Sequence, residues 1–106
     1  MSAFLTGSQV YGTPTEESDV DLVVQMTAAE MDKLAHFSEG MFSFDEYGCG
    51  RSFRFGKLNL IAISGDRLFE LWRESTEACE AIKPVNKVEA KAIFQKREIA
   101  FKAAHA

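Results

Sequence analysis

Apolar and polar positions divide the chain into short alternating segments and two longer helical stripes. Ala3-Phe4-Leu5 is an apolar stub that predicts a strand over residues 3–6. A polar, turn-rich stretch follows, and then Leu22-Val23-Val24 marks a buried strand over 19–25. Thr27, with Glu30 three residues on, has the form of a capping box. Met31, Leu34 and Ala35 share one face of the helix predicted over 28–38, which Ser38-Glu39-Gly40 breaks. The run from Met41 to Glu46 alternates and predicts a strand. Tyr47-Gly48-Cys49-Gly50 is a loop whose Gly-x-Gly precedes a strand, so it fits neither a dinucleotide fingerprint nor a P-loop. Phe53-Arg54-Phe55 and the apolar run Leu58 to Ile63 flank Gly56-Lys57, which suits a type II′ hairpin turn. That register sets Phe55 opposite Leu58 and Arg54 opposite Asn59.

The second half of the chain is helical. Ser64 is the expected cap of a helix over 65–82, with a stripe of Leu68, Leu71, Trp72, Cys79 and Ile82 at core-forming spacing. Pro84 ends it. Asn86 and Glu89 have the form of a second capping box, opening a helix over 87–103. Its apolar residues fall on two faces, Val88, Ala92 and Ile99 on one and Ala90, Phe94 and Phe101 on the other. A peripheral helix needs one stripe. Either the helix is wedged between two parts of its own domain, or its second face meets a protein partner or a second copy in a homodimer.

Composition places these elements in one domain. The chain has 106 residues, 46% of them hydrophobic and 26% charged, with nine Phe as core material. No apolar run reaches the length of a membrane span, and no charged region precedes an apolar stretch at the N-terminus, so a cytoplasmic protein is expected. Cys49 and Cys79 match no metal spacing and read as free thiols. His36 and His105 form no metal pair, and neither reads as catalytic. The net charge of −4 is unevenly spread, with nine acids and one base in residues 1–50 but two acids and five bases in residues 84–106. The basic end suits a phosphate-bearing or acidic partner, or a solvated helix face. Nucleic acid is the least favoured partner, because no aromatic residues interleave with Lys87, Lys91, Lys96, Arg97 and Lys102 on a single face.

The candidate chemistry lies in Gly7 to Asp21. Side chains two apart on a strand share a face, so Asp19 and Asp21 project together just beyond the Gly7-Ser8 turn. Two carboxylates on one face repel unless a cation sits between them. Mg²⁺ suits that place, because it takes one or two carboxylates together with substrate phosphates. The Gly-Ser turn offers backbone N–H groups that a phosphate can approach closely. An isolated Asp-x-Asp is more often an exposed turn, but the full order of strand, Gly-Ser, loop, Asp-x-Asp and strand is more specific.

Gly7-Ser8, ten residues, and Asp19-Val20-Asp21, with Tyr11-Gly12-Thr13 and Glu17-Ser18 inside the loop, resemble the signature of minimal nucleotidyltransferases. These belong to the DNA polymerase beta-like nucleotidyltransferase superfamily. The resemblance covers residues 3–63. It implies an α/β (α+β) fold, a small mixed sheet flanked by helices, with a short helix starting at Ser8. It also implies two Mg²⁺ ions, with Asp19 and Asp21 as ligands, and Gly7 and Ser8 at the β- and γ-phosphates. The implied reaction moves a nucleotidyl group, AMP from ATP, to an acceptor hydroxyl.

The resemblance also implies a third acid on a later strand, and here the sequence departs from it. Lys57-Leu58-Asn59-Leu60-Ile61 carries Asn59 at that position. An amide offers a carbonyl oxygen to a cation but cannot act as a general base. Arg54, opposite it, adds positive charge. Three readings follow. Another group, such as Asp66, Glu70 or Asp45, supplies the acid, or water or substrate takes the proton. Alternatively, Gly7, Ser8, Asp19, Asp21 and Arg54 bind nucleotide with little chemistry. In the third, the fold serves as a partner-binding, antitoxin-like module, as the resemblance implies for two-gene systems.

Overall fold

In the computed structural model, which describes residues 2–43 and 50–104, the chain runs β1 (Ala3–Thr6), α1 (Ser8–Tyr11), β2 (Val20–Gln25), α2 (Ala28–Ala35), β3 (Gly40–Ser43), β4 (Gly50–Phe55), β5 (Leu58–Ile63), α3 (Asp66–Ala81) and α4 (Lys87–Ala104). The strands form one five-stranded sheet in the order β1-β2-β5-β4-β3. β2 and β5 pair in parallel, and every other pair is antiparallel. This is the mixed sheet with helices that the resemblance implies. Among the described residues, no helix is long and apolar enough to cross a membrane.

The alternation of β5 explains why helices cover both faces of the sheet. Ile61 and Ile63 point to one side, where they pack with Val23, Phe4 and Phe69 of α3. Leu60 and Ala62 point to the other, where they pack with Phe53, Phe55 and Met31 of α2. A third cluster, Tyr11, Cys79, Val85 and Ala90, joins α1, α3 and the start of α4.

The hairpin has the expected register, with Phe55 opposite Leu58 and Arg54 opposite Asn59. Gly56 has φ 59 and no described non-glycine residue has positive φ, so only the first corner position is left-handed, as a type II′ turn requires. Both capping boxes form. The Thr27 hydroxyl accepts from Glu30 N–H while the Glu30 carboxylate accepts from Thr27 N–H. Asn86 and Glu89 exchange the equivalent pair.

Several elements differ from expectation. The helix cap at the start of α3 is Gly65, not Ser64. Gly65 has φ 95 and makes no side-chain cap bond, so the turn is set by backbone freedom rather than by a hydroxyl. α2 ends at Ala35, three residues early. There Phe37 N–H bonds back to the Leu34 carbonyl, and the Ser38 hydroxyl donates to the Ala35 carbonyl, closing the helix. The predicted strand from Met41 to Glu46 is present as Gly40–Ser43. Its remainder, the loop from Tyr47 to Cys49, Asp45 and His105 lie outside the described residues. α4 buries the Ala90 side, while Val88 and Ile99 are 78% and 70% exposed. Among the described residues, nothing covers the Val88 and Ile99 side of the helix, so it is not wedged between two parts of them. The side chains of Phe101 and Lys102 are also outside the described residues.

Candidate active site

One face of the sheet gathers the polar residues of interest. Thr6 lies opposite Asp21, Asp21 beside Asn59, and Asn59 opposite Arg54, across four neighbouring strands. By strand parity these side chains share the face that carries Val23, Ile61 and Ile63, and α3 covers it. Asp19 lies just before β2, where Val20 N–H bonds to the Lys57 carbonyl at 2.9 Å. The Lys57 ammonium donates to the Glu16 carbonyl at 2.5 Å, tying the loop to the hairpin turn. Within the loop, Ser18 accepts from Thr15 N–H at 2.8 Å.

Gly7 connects this face to the loop. Its φ of 74 and ψ of −160 belong to a region that only glycine occupies without strain. A Cβ added there would lie 2.1 Å from Asp21 Oδ2. The Gly-Ser turn is therefore pressed against the Asp21 carboxylate, and α1 starts immediately after it. Gly12 is constrained by space alone, since a Cβ there would meet Ser8 Cα at 2.7 Å.

Both aspartates have partners within the chain. Asn59 donates its amide N–H to Asp21 Oδ1 at 3.1 Å, and its carbonyl oxygen accepts from the Ser52 hydroxyl at 2.5 Å. Because a carboxylate only accepts, these two bonds fix which end of the amide faces Asp21. Arg54 pairs with Asp19 at 3.1 Å. The Asp21 carboxyl is raised above the usual carboxylate range, first by burial and also by the charge on Asp19. The Asn59 hydrogen bond, Arg54 and Lys87 pull in the other direction.

A cleft of about 1270 Å³ opens over this face. Gly7, Ser8, Asp19 and Asp21 line one end, whereas Arg54 and Asn59 are outside the lining. Leu68, Leu71, Trp72 and Phe94 form an apolar wall, with Trp72 and Phe94 edge to face at 5.1 Å between centroids. Part of the α3 stripe thus lines the cleft, with Leu68 and Trp72 also packed against the core, and its last member, Ile82, is 59% exposed. Tyr11 also lines the cleft, and its hydroxyl, raised above its ordinary value chiefly by burial, stays protonated at neutral pH.

The contribution of α4 to the cleft was not apparent from the sequence. Lys87 and Lys91 of α4 line it. Their spacing by four, flanking buried Ala90, was the available signal, but only packing shows which elements that face meets.

The alternative acids are elsewhere. Asp66 accepts from Gln25 at 2.6 Å, at the opposite end of β2 from Asp21, and Glu70 pairs with Arg73 at 2.6 Å. Neither lines the cleft. Among the described residues, no group of three or more His, Cys, Asp and Glu gathers as a metal cluster. The two aspartates suit one Mg²⁺ that takes its other oxygens from phosphate and water. They do not suit a set needing a third carboxylate, because Asn59 turns its N–H toward Asp21. The Arg54–Asp19 pair is half-exposed on both sides, a kind worth roughly 0.2–1 kcal/mol, which a divalent ion arriving with its phosphates can displace.

Comparison with known proteins agrees with this geometry. The family model of the nucleotidyltransferase domain matches residues 1–77, from the first strand through most of α3. No curated protein and no solved structure gives a significant match. The match spans the Gly-Ser turn, the aspartate pair and the whole sheet, and the chain belongs to the nucleotidyltransferase domain family.

Proposed function

We propose that the protein transfers an AMP unit from ATP to an acceptor hydroxyl, with Mg²⁺ held by Asp19 and Asp21. The observation that carries this reading is the contact of the Gly-Ser turn with the Asp21 carboxylate at the mouth of a cleft large enough for a nucleotide. That contact sets phosphate-binding N–H groups next to cation-binding oxygens, which is what a metal-bound triphosphate needs.

Gly7 and Ser8 would hold the β- and γ-phosphates through backbone N–H groups and the Ser8 hydroxyl. The apolar wall of Leu68, Leu71 and Trp72 provides a surface for the base. Bound Mg²⁺ supplies charge neutralisation at the phosphate undergoing displacement. Asn59 orients Asp21 through its N–H and takes no proton itself. The proton of the attacking hydroxyl passes to water or to a substrate phosphate. Arg54 is held at Asp19 and becomes available to a phosphate only when that pair opens.

Asn59 also favours a second reading, in which the site binds nucleotide but turns it over slowly. One assay addresses both. With Mg²⁺ and ATP labelled at the γ-phosphorus, and water as the acceptor of the AMP unit, the wild-type protein is expected to release labelled pyrophosphate slowly, and Asp21→Asn to abolish release. Asn59→Asp introduces a carboxylate and should raise the rate by about 100-fold, the low end of the range for a positioned general base. Release that survives Asp21→Asn would contradict the assignment. No release from wild type or from Asn59→Asp, with ATP still bound, would leave the binding reading.

A further inference from the structure

The family match ends at residue 77, but the cleft continues onto α4. The start of α4 is firmly placed. Val85 N–H donates to the Tyr11 carbonyl at 2.7 Å, and Val85 and Ala90 are 4% and 7% exposed against Tyr11 and Cys79. The Asn86–Glu89 capping box fixes the first turn. Lys87 and Lys91, one helical turn apart, are thereby held in the lining of the cleft that Gly7, Ser8, Asp19 and Asp21 also line.

The charge of the cleft gives this placement its meaning. Among the described residues, its lining carries five acids, Glu17, Asp19, Asp21, Glu89 and Glu98, and two cations, Lys87 and Lys91. Among the described residues, neither lysine takes part in an ion pair. A nucleoside triphosphate with one Mg²⁺ keeps net negative charge, and the aspartates that hold the ion add more. A compensating cation is therefore needed on the far side of the phosphates, and the N-terminal end of α4 favours an anion there as well.

We propose that Lys87 and Lys91 are phosphate-binding residues that hold the terminal phosphates of a nucleoside triphosphate against α4, opposite Gly7 and Ser8. This rests on the reading of the site as a nucleotide site. It adds that the segment beyond the family match completes the pocket.

The test is calorimetric titration of the full chain with ATP and with AMP in Mg²⁺. The variants are Lys87→Ala with Lys91→Ala, Lys87→Arg with Lys91→Arg, and Lys96→Ala, an exposed lysine on the same helix outside the cleft lining. The double alanine variant is expected to lose about tenfold or more in ATP affinity, equivalent to about 1.4 kcal/mol. AMP affinity should change little, so the preference for ATP over AMP collapses. The arginine pair should keep most of the affinity, and Lys96→Ala should match wild type. Unchanged ATP affinity in the folded double alanine variant, equal losses for ATP and AMP, or an equal loss in Lys96→Ala would overturn the proposal. If wild type binds no ATP, the nucleotide reading itself fails and this inference falls with it.

Discussion

At the scale of single residues, the site depends on how Asp21 is held. Half-buried and near the charge of Asp19, its carboxyl takes a proton more readily than a free aspartate. The folded state therefore binds this proton more tightly than the unfolded chain does. The stability linked to it is fully present below the unfolded value of about 3.9 and is lost as pH rises through the folded value. Asp21→Asn keeps the shape and an acceptor for the Asn59 N–H but removes the buried charge. The variant is expected to melt above wild type at pH 7, with the gap closing toward pH 4. Thermal melts across that range check it, and a gap that does not change with pH would contradict it. Much at this scale was legible in the sequence. The spacing of Gly7, Ser8, Asp19 and Asp21 showed which residues meet, and the hairpin register placed Asn59 opposite Arg54. What the Asn59 amide would do was not legible, because the orienting bond comes from Ser52 on the next strand.

At the scale of elements, local rules succeeded where side chains satisfy the backbone within a few residues. Thr27 with Glu30, Asn86 with Glu89, and Gly56 at the hairpin all behave as their local chemistry dictates. Thr27→Ala removes one of the two reciprocal bonds at the start of α2, and denaturant unfolding should show a loss of about 1 kcal/mol. Nucleotide affinity should be unchanged, since α2 packs on the sheet face away from the cleft. Loss of affinity without loss of stability would break that separation of faces. Local rules failed at Ser64, where a glycine turn took the cap position, and at the end of α2, where the Ser38 hydroxyl closes the helix onto the Ala35 carbonyl. They failed most usefully in α3 and α4. Helical spacing marks Leu68, Leu71 and Trp72 as one stripe but cannot distinguish a core from a cleft wall, which depends on where α4 lies.

At the scale of the whole molecule, the sheet separates support from function. Met31, Phe53 and Ala62 fill the α2 face. The other face carries α3 and, at one end, the polar array from Thr6 to Arg54. α1 and α4 then close the cleft, joined by the bond between Tyr11 and Val85. The acidic first half and the basic end, separate in sequence, both contribute to this opening, which Asp19, Asp21, Lys87 and Lys91 line. The charge imbalance was visible in the sequence, and only the packing shows that residues of both parts line one cleft. The central claim is that this opening is a Mg²⁺-dependent nucleotide site centred on the aspartate pair. The most direct test is titration with ATP, with and without Mg²⁺, of wild type and of a variant carrying Asp19→Ala and Asp21→Ala. Binding to wild type that requires Mg²⁺, and its loss in a variant that remains folded, is the predicted result. Binding that ignores Mg²⁺, or that the folded double variant retains, would contradict it.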